Sequence, residues 1–277
     1  MREAGSHDIP DEVRIGYLDV MGERIRYAIK PGGAGHTPLL MLNGLGAGLE
    51  LLLPLAQQLD GIETILLDVP GVGESTLPRH PYTLPMFACL IERLLARLGY
   101  RRVDVLGFSW GGMLAQQFAF QASRRCRRLV LVASMQGAPM VPARLSTLMK
   151  LATPRRFNDR EYARRIQGDL YGGDARTNPP ALVEMPRLRT SPVGYLFQQL
   201  SVVGWSGMPL MPFLQQQTLI LAGDDDPIVP LVNAKIMARM IPRSRLQVLH
   251  DGHHFFRSSA AETSAAISAF LDHADPA

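Results

Sequence analysis

Hydrophobic and polar positions change rhythm along this chain. From Val13 to Val20 and from Arg24 to Lys30 they alternate around Met21-Gly22-Glu23, which predicts an antiparallel hairpin with one wet face. Four later runs are short and almost continuously apolar: Pro38 to Leu42, Ile62 to Leu67, Val103 to Leu106 and Leu129 to Val132. Each is followed by glycine, proline or a small polar residue, as expected of strands buried on both faces of a parallel sheet. Helical periodicity fills the gaps, over Glu50 to Leu59, Leu84 to Leu98 and Trp110 to Gln121. This alternation predicts an α/β fold with a mostly parallel, doubly wound sheet, whose ligands bind at the carboxyl ends of the strands.

The alternation stops near Ser134 and resumes at Thr218 to Gly223. A structureless loop of about eighty residues is improbable. Helical patterns run instead from Arg144 to Ala152, Asp159 to Asp169 and Val193 to Val203, broken by Pro154, Gly172-Gly173, Pro179-Pro180 and Pro192. The segment therefore reads as a helical cap inserted into the sheet. Residues 1–134 form the first part of the core, 135–217 the cap, and 218–277 the second part. That last part holds a helix over Leu231 to Met240, a strand over Leu246 to Leu249 and a closing helix over Ser258 to Leu271.

Composition narrows the class. A chain of 277 residues, 47% hydrophobic and 19% charged, buries a substantial core. The net charge is +4, and the excess sits in groups such as Arg124, Arg125, Arg127 and Arg128, which read as solvated helix ends. No aromatic residues interleave with them, so nucleic acid is not an expected partner. Attraction to an anionic lipid or granule surface is compatible with the charge. Cys89 and Cys126 stand in no metal-binding or redox spacing and read as free thiols in a reducing compartment. The first thirty residues lack a secretory pattern, and no run of about twenty apolar residues predicts a transmembrane segment. A cytoplasmic protein is expected.

Chemistry is concentrated at three strand ends. Gly107-Phe108-Ser109-Trp110-Gly111 lies between an apolar strand and a helix, the setting of a nucleophile elbow, and makes Ser109 a candidate nucleophile. The five-residue pattern alone arises by chance in about one chain of this length in ten. A serine hydroxyl also needs a base and an acid to orient it, in the chain order Ser, Asp/Glu, His. Asp224-Asp225-Asp226 and Asp251-Gly252-His253-His254 follow later strands in that order. The spacing leaves open which aspartate acts, and which of His250, His253 and His254 is the base. Asp68-Val69-Pro70-Gly71-Val72-Gly73-Glu74-Ser75 is not followed by a helix as a dinucleotide fingerprint requires, and reads as structural. No spacing suggests a metal site, and no cofactor is expected.

With Gly107 to Gly112, Gly223 to Pro230 and Asp251 to His253 in register, the chain resembles the α/β-hydrolase superfamily over its whole length. In that superfamily the acid commonly lies in G-x-x-D-x-x-x-P, matched by Gly223, Asp226 and Pro230. The D-G-H pattern favours His253. The resemblance thus implies Ser109, Asp226 and His253 as catalytic residues, with Leu45 and Trp110 supplying oxyanion-hole N–H groups. Asn43 departs from the commoner histidine before Gly44 and is expected to tie its loop down.

A narrower likeness joins Leu39 to Leu51, Asp68 to Ser75 with Pro78-Arg79-His80-Pro81-Tyr82, GFSWGG with Gln116-Gln117-Phe118, Tyr171-Gly172-Gly173, and LAGDDDPIVP. These stretches resemble the intracellular depolymerases of medium-chain-length poly(3-hydroxyalkanoate). The resemblance implies ester hydrolysis through a 3-hydroxyacyl-enzyme at the surface of cytoplasmic granules, releasing monomers or oligomers. Its expected partners are the polyester and granule-associated proteins. Two roles remain open for Met208, Leu210, Met211, Phe213 and Leu214: lining an alkyl tunnel, or packing the cap on the sheet. The same triad also suits a small-molecule esterase, lactonase or carbon–carbon bond hydrolase, and the fold suits a catalytically silent ligand-binding relative.

Overall fold

A computed structural model describes residues 9–153, 155–178 and 191–272. The hairpin forms as β1 (Arg14–Val20) and β2 (Glu23–Lys30), antiparallel, with Arg14 opposite Ile29 and Val20 opposite Glu23. The apolar runs become β3 (Leu39–Leu42), β4 (Thr64–Leu67), β5 (Val103–Phe108) and β6 (Cys126–Val132). Two more strands follow, β7 (Gln217–Gly223) and β8 (Ser244–Leu249). All eight make one sheet in the order β1-β2-β4-β3-β5-β6-β7-β8. The pairs from β4 through to β8 are parallel, and β2 joins β4 antiparallel.

The continuous apolar runs are explained by what covers each face. Val105 and Leu129 pack with Phe87, Leu90, Leu94, Leu114 and Phe118 of α2 (Leu84–Arg97) and α3 (Trp110–Gln121). Their neighbours Leu106 and Val130 face the other way, into a second core with Leu55 of α1 (Leu53–Gln57). Successive side chains of a strand point to opposite faces, so a strand covered on both reads as apolar at successive positions. The first predicted helix is shorter than expected, because Leu49–Leu51 is a 3₁₀ turn and α1 begins only at Leu53, with Pro54 in its first turn, where proline is tolerated.

Between β6 and β7 lie α4 (Leu145–Ala152), the unpredicted short α5 (Arg155–Asn158), α6 (Arg160–Tyr171) and α7 (Pro192–Leu200). Asp159 caps α6 by accepting from the Tyr162 N–H, and Ser191 caps α7 by accepting from Gly194. The predicted breaks at Pro154 and Pro179-Pro180 lie outside the described residues. Beyond β7 come α8 (Leu231–Met240), α9 (Phe255–Ser258) and α10 (Ala260–Asp272). Among the described residues no helix is long and apolar enough to cross a membrane.

Two of the arginines expected at solvated helix ends lie elsewhere. Arg127 and Arg128 lie in β6, and Arg128 is only 1% exposed. Its guanidinium donates to the carbonyls of Phe270 and Leu271 at the end of α10, where the last helical turn has no internal donors. Arg127 also reaches Leu271 and forms a two-pronged ion pair with buried Asp104.

Candidate active site

The turn from β5 into α3 requires its glycines. A Cβ on Gly107 would lie 2.3 Å from the Gly111 carbonyl oxygen, and one on Gly111 would lie 2.2 Å from that of Leu42. Ser109 between them has φ 54° and ψ −117°, backbone strain of the kind that active sites retain. Its N–H donates to Val132 and its carbonyl accepts from the Ser134 hydroxyl, both at 2.9 Å.

Nε2 of His253 is 3.1 Å from the Ser109 Oγ, and its Nδ1 is 2.7 Å from Oδ2 of Asp226. The other oxygen of Asp226 accepts from the N–H groups of Ile228 and Val229. This fixes the carboxylate before it meets the imidazole. Asp224 and Asp225 are occupied elsewhere, the first by exposed His250 at 2.6 Å, the second by Gly173 N–H and Arg176. His254 stacks on Tyr171 with ring centroids 4.0 Å apart. Burial, reinforced by the positive charges of Arg257 and Arg156, pushes its pKa well below the ordinary histidine value, so it is neutral. The structure therefore brings together Ser109, Asp226 and His253, and leaves the neighbouring candidates outside the relay. A serine, a base and an oriented carboxylate in this arrangement can pass the serine proton to a leaving group.

Tyr171-Gly172-Gly173 supports this loop from beneath. The Tyr171 carbonyl accepts from the His253 N–H at 2.6 Å. Gly172 and Gly173 have φ of 69° and 50°, and a Cβ on either would come within 2.0 Å of the Asp225 carbonyl or the Gly252 nitrogen. Asp251 ties the same loop to Asp174 N–H, Gly252 N–H, Ser258 and Ser259. Burial would raise its pKa, but these hydrogen bonds outweigh it and hold the carboxyl below its usual range.

Ser109 opens onto a cavity of about 340 Å³ that Gly44, Leu45, Trp110 and His253 also border. Trp110 is the first residue of α3, where an N–H has no intrahelical acceptor and faces outward at the positive end of the helix. Met113, Met135, Met140, Leu148, Leu151 and Ile228 supply much of an apolar lining. None of Met208, Leu210, Met211, Phe213 and Leu214 borders this cavity. Met211 and Leu214 are packed in the core, and Phe213 is 67% exposed. The tunnel expectation for those five is thus replaced by the packing one for two of them.

Asn43 does not play the part expected of it. Its side-chain amide is buried and makes no hydrogen bond, so it does not tie the loop down. Residues of the β6–β7 segment, which gave no sequence signal for this role, do so instead. The Gln198 side chain accepts from Gly46 N–H at 2.7 Å, and Arg156 approaches the Leu45 carbonyl at 3.4 Å. Further along, Leu49 N–H and Glu74 N–H donate to buried Asp68, which also pairs with Arg26. Burial and then Glu50 push the Asp68 pKa up to about 6. The Asp68 to Ser75 stretch is structural, as expected. Among the described residues no group of three or more His, Cys, Asp or Glu is arranged to hold a metal ion.

Residues 37–257 match the family described as alpha/beta hydrolase fold. A poly(3-hydroxyalkanoate) depolymerase from Ectopseudomonas oleovorans is 42% identical over 257 residues, covering 92% of this chain and 91% of that protein. A hydrolase from Pseudomonas aeruginosa PA01 superposes with a TM-score of 0.79 at 23% identity, covering 94% of this chain and 98% of its own. The enol-lactonase from Burkholderia xenovorans LB400 gives 0.79 at 22% identity, with 93% and 100% covered. The chain belongs to the alpha/beta hydrolase family, and a poly(3-hydroxyalkanoate) depolymerase is its relative over nearly the full length of both proteins.

Proposed function

We propose that this protein is a serine hydrolase that cleaves the ester bonds of medium-chain-length poly(3-hydroxyalkanoate) in the cytoplasm, at the surface of storage granules. The observation that carries the chemistry is the hydrogen-bonded line Ser109–His253–Asp226, at 3.1 Å and 2.7 Å, opening onto an apolar cavity. The 42% identity to a poly(3-hydroxyalkanoate) depolymerase supports the choice of ester.

In the first step the Ser109 Oγ attacks a backbone carbonyl carbon while His253 Nε2 takes its proton. Negative charge on the carbonyl oxygen is met by the N–H groups of Leu45 and Trp110. Asp226 keeps the histidine in the tautomer with Nδ1 protonated and stabilises the imidazolium. The tetrahedral species collapses, the ester C–O bond breaks, and His253 protonates the departing hydroxyl of the next unit. Water, deprotonated by the same histidine, then attacks the 3-hydroxyacyl-enzyme and frees a 3-hydroxyalkanoate monomer or oligomer. Residues 135–217 act as a cap that shields the acyl group, with Met135, Met140, Leu148 and Leu151 against its alkyl side chain. The test is release of 3-hydroxyalkanoate from medium-chain granules by purified protein, set against turnover of short soluble esters. Activity confined to the short esters would favour a small-molecule esterase or lactonase.

A further inference from the structure

The N–H groups of Leu45 and Trp110 sit on two separate loops, one after β3 and one at the start of α3. Both are held by the same residue of α7. The Gln198 side chain accepts from the Gly46 N–H at 2.7 Å, and its backbone carbonyl accepts from the Trp110 indole N–H at 3.1 Å. The Ser201 hydroxyl accepts from the same indole at 3.1 Å and donates to the Gln198 carbonyl at 2.6 Å. Gln198 is 1% exposed and Ser201 5%, so water does not compete for these bonds. The amide orientation follows from its partner: a backbone N–H must face the oxygen of the amide.

The bond to Gly46 fixes more than a loop. The Leu45–Gly46 peptide is gripped at both ends, its N–H by Gln198 and its carbonyl by the Arg156 guanidinium at 3.4 Å. Gly46 has φ 74°, a conformation in which glycine has unusual freedom, so the peptide plane depends on such holds. Rotation of that plane changes ψ of Leu45 and φ of Gly46, so the turn that carries the Leu45 N–H in its preceding peptide keeps its shape only while this peptide is held. Oxyanion stabilisation depends on donors being aimed before charge develops, and a small misalignment forfeits much of it. We propose that Gln198 is a positioning residue for the oxyanion hole, fixing the Leu45 and Trp110 donors together and making the rate of ester cleavage depend on the seating of α7.

This rests on the serine-hydrolase reading, and the experiment separates the two. Wild type is first treated with diethyl p-nitrophenyl phosphate. Ser109 Oγ attacks phosphorus, p-nitrophenolate leaves, and the serine proton passes to His253, giving a diethylphosphoryl-Ser109 seen by peptide mass. Failure to label Ser109 overturns the hydrolase reading, and this proposal with it. Steady-state turnover of p-nitrophenyl hexanoate is then compared among Gln198→Met, which keeps length but loses the acceptor, Gln198→Glu, which keeps an acceptor oxygen in either protonation state, and Ser201→Ala. The expected result is a kcat lower by about 10-fold to 100-fold in Gln198→Met with KM within about twofold, and a parallel loss of phosphorylation rate. Gln198→Glu recovers most of the loss, and Ser201→Ala lowers kcat by about threefold to tenfold. If Gln198→Met does not fold, as judged by circular dichroism, Ser201→Ala and Gln198→Glu carry the test. Labelled wild type with unchanged kcat in the folded variants, or a loss confined to KM, overturns the proposal.

Discussion

Nδ1 of His253 lies 2.7 Å from Oδ2 of Asp226, with side-chain exposures of only 3% and 1%. In that position the carboxylate holds the imidazole with its other nitrogen toward Ser109, placed to stabilise a positive charge on the ring. Of the three consecutive aspartates in this loop, 226 alone has its second oxygen anchored by two backbone N–H groups while the first meets the ring.

Asp226→Asn is therefore expected to lower kcat by about 10⁴-fold, because an amide donating from this position favours the wrong imidazole tautomer. Asp224→Asn disturbs an exposed pair with His250, and Asp225→Asn an exposed pair with Arg176 while its amide oxygen still accepts from the Gly173 N–H, so both stay within about tenfold of wild type. Steady-state kinetics of the three variants on one soluble ester decide the matter, and a larger loss at 224 or 225 would contradict the assignment.

Acid sensitivity is expected from His254. Its folded pKa is held well below 6.5, by burial first and then by neighbouring positive charge, whereas the unfolded residue titrates near 6.5. Between those values the unfolded chain binds more protons, so the contribution of neutral His254 is fully present above about pH 6.5 and is lost as pH falls below it. His254→Phe keeps the stacking on Tyr171 but cannot titrate. Urea midpoints measured from pH 8 to pH 5 should fall less in the variant than in wild type, and parallel curves would refute this account.

Asp68 tests the support of the loop after β3. Its removal leaves the N–H groups of Leu49 and Glu74 without their acceptor and takes one carboxylate from buried Arg26. Asp68→Ala should destabilise the fold by about 3 kcal/mol. Equilibrium urea unfolding measures this directly, and a loss below about 1 kcal/mol would show that the network is dispensable.

What was legible in the sequence follows from the range of the interactions involved. The strands could be read because Leu40, Val105 and Leu129 face one core while Met41, Leu106 and Val130 face another, which leaves a local pattern of unbroken apolar residues. The elbow was legible because Gly107 and Gly111 answer to steric contacts within a few residues or with the adjacent strand. The place of Arg128 is not legible locally, because it meets the carbonyls ending a helix far along the chain. For the same reason nothing near Gly46 or Trp110 announces Gln198, and the hold expected of Asn43 belongs to the β6–β7 segment.

The most direct measurement is release of soluble 3-hydroxyalkanoate from amorphous medium-chain-length polyester granules by the purified protein and by Ser109→Ala, quantified by mass spectrometry. Loss of a triad member removes several orders of magnitude of rate, so the account predicts steady release by wild type and none above background by the folded variant. Absence of release by a wild type that turns over short soluble esters, or equal release by Ser109→Ala, would contradict it.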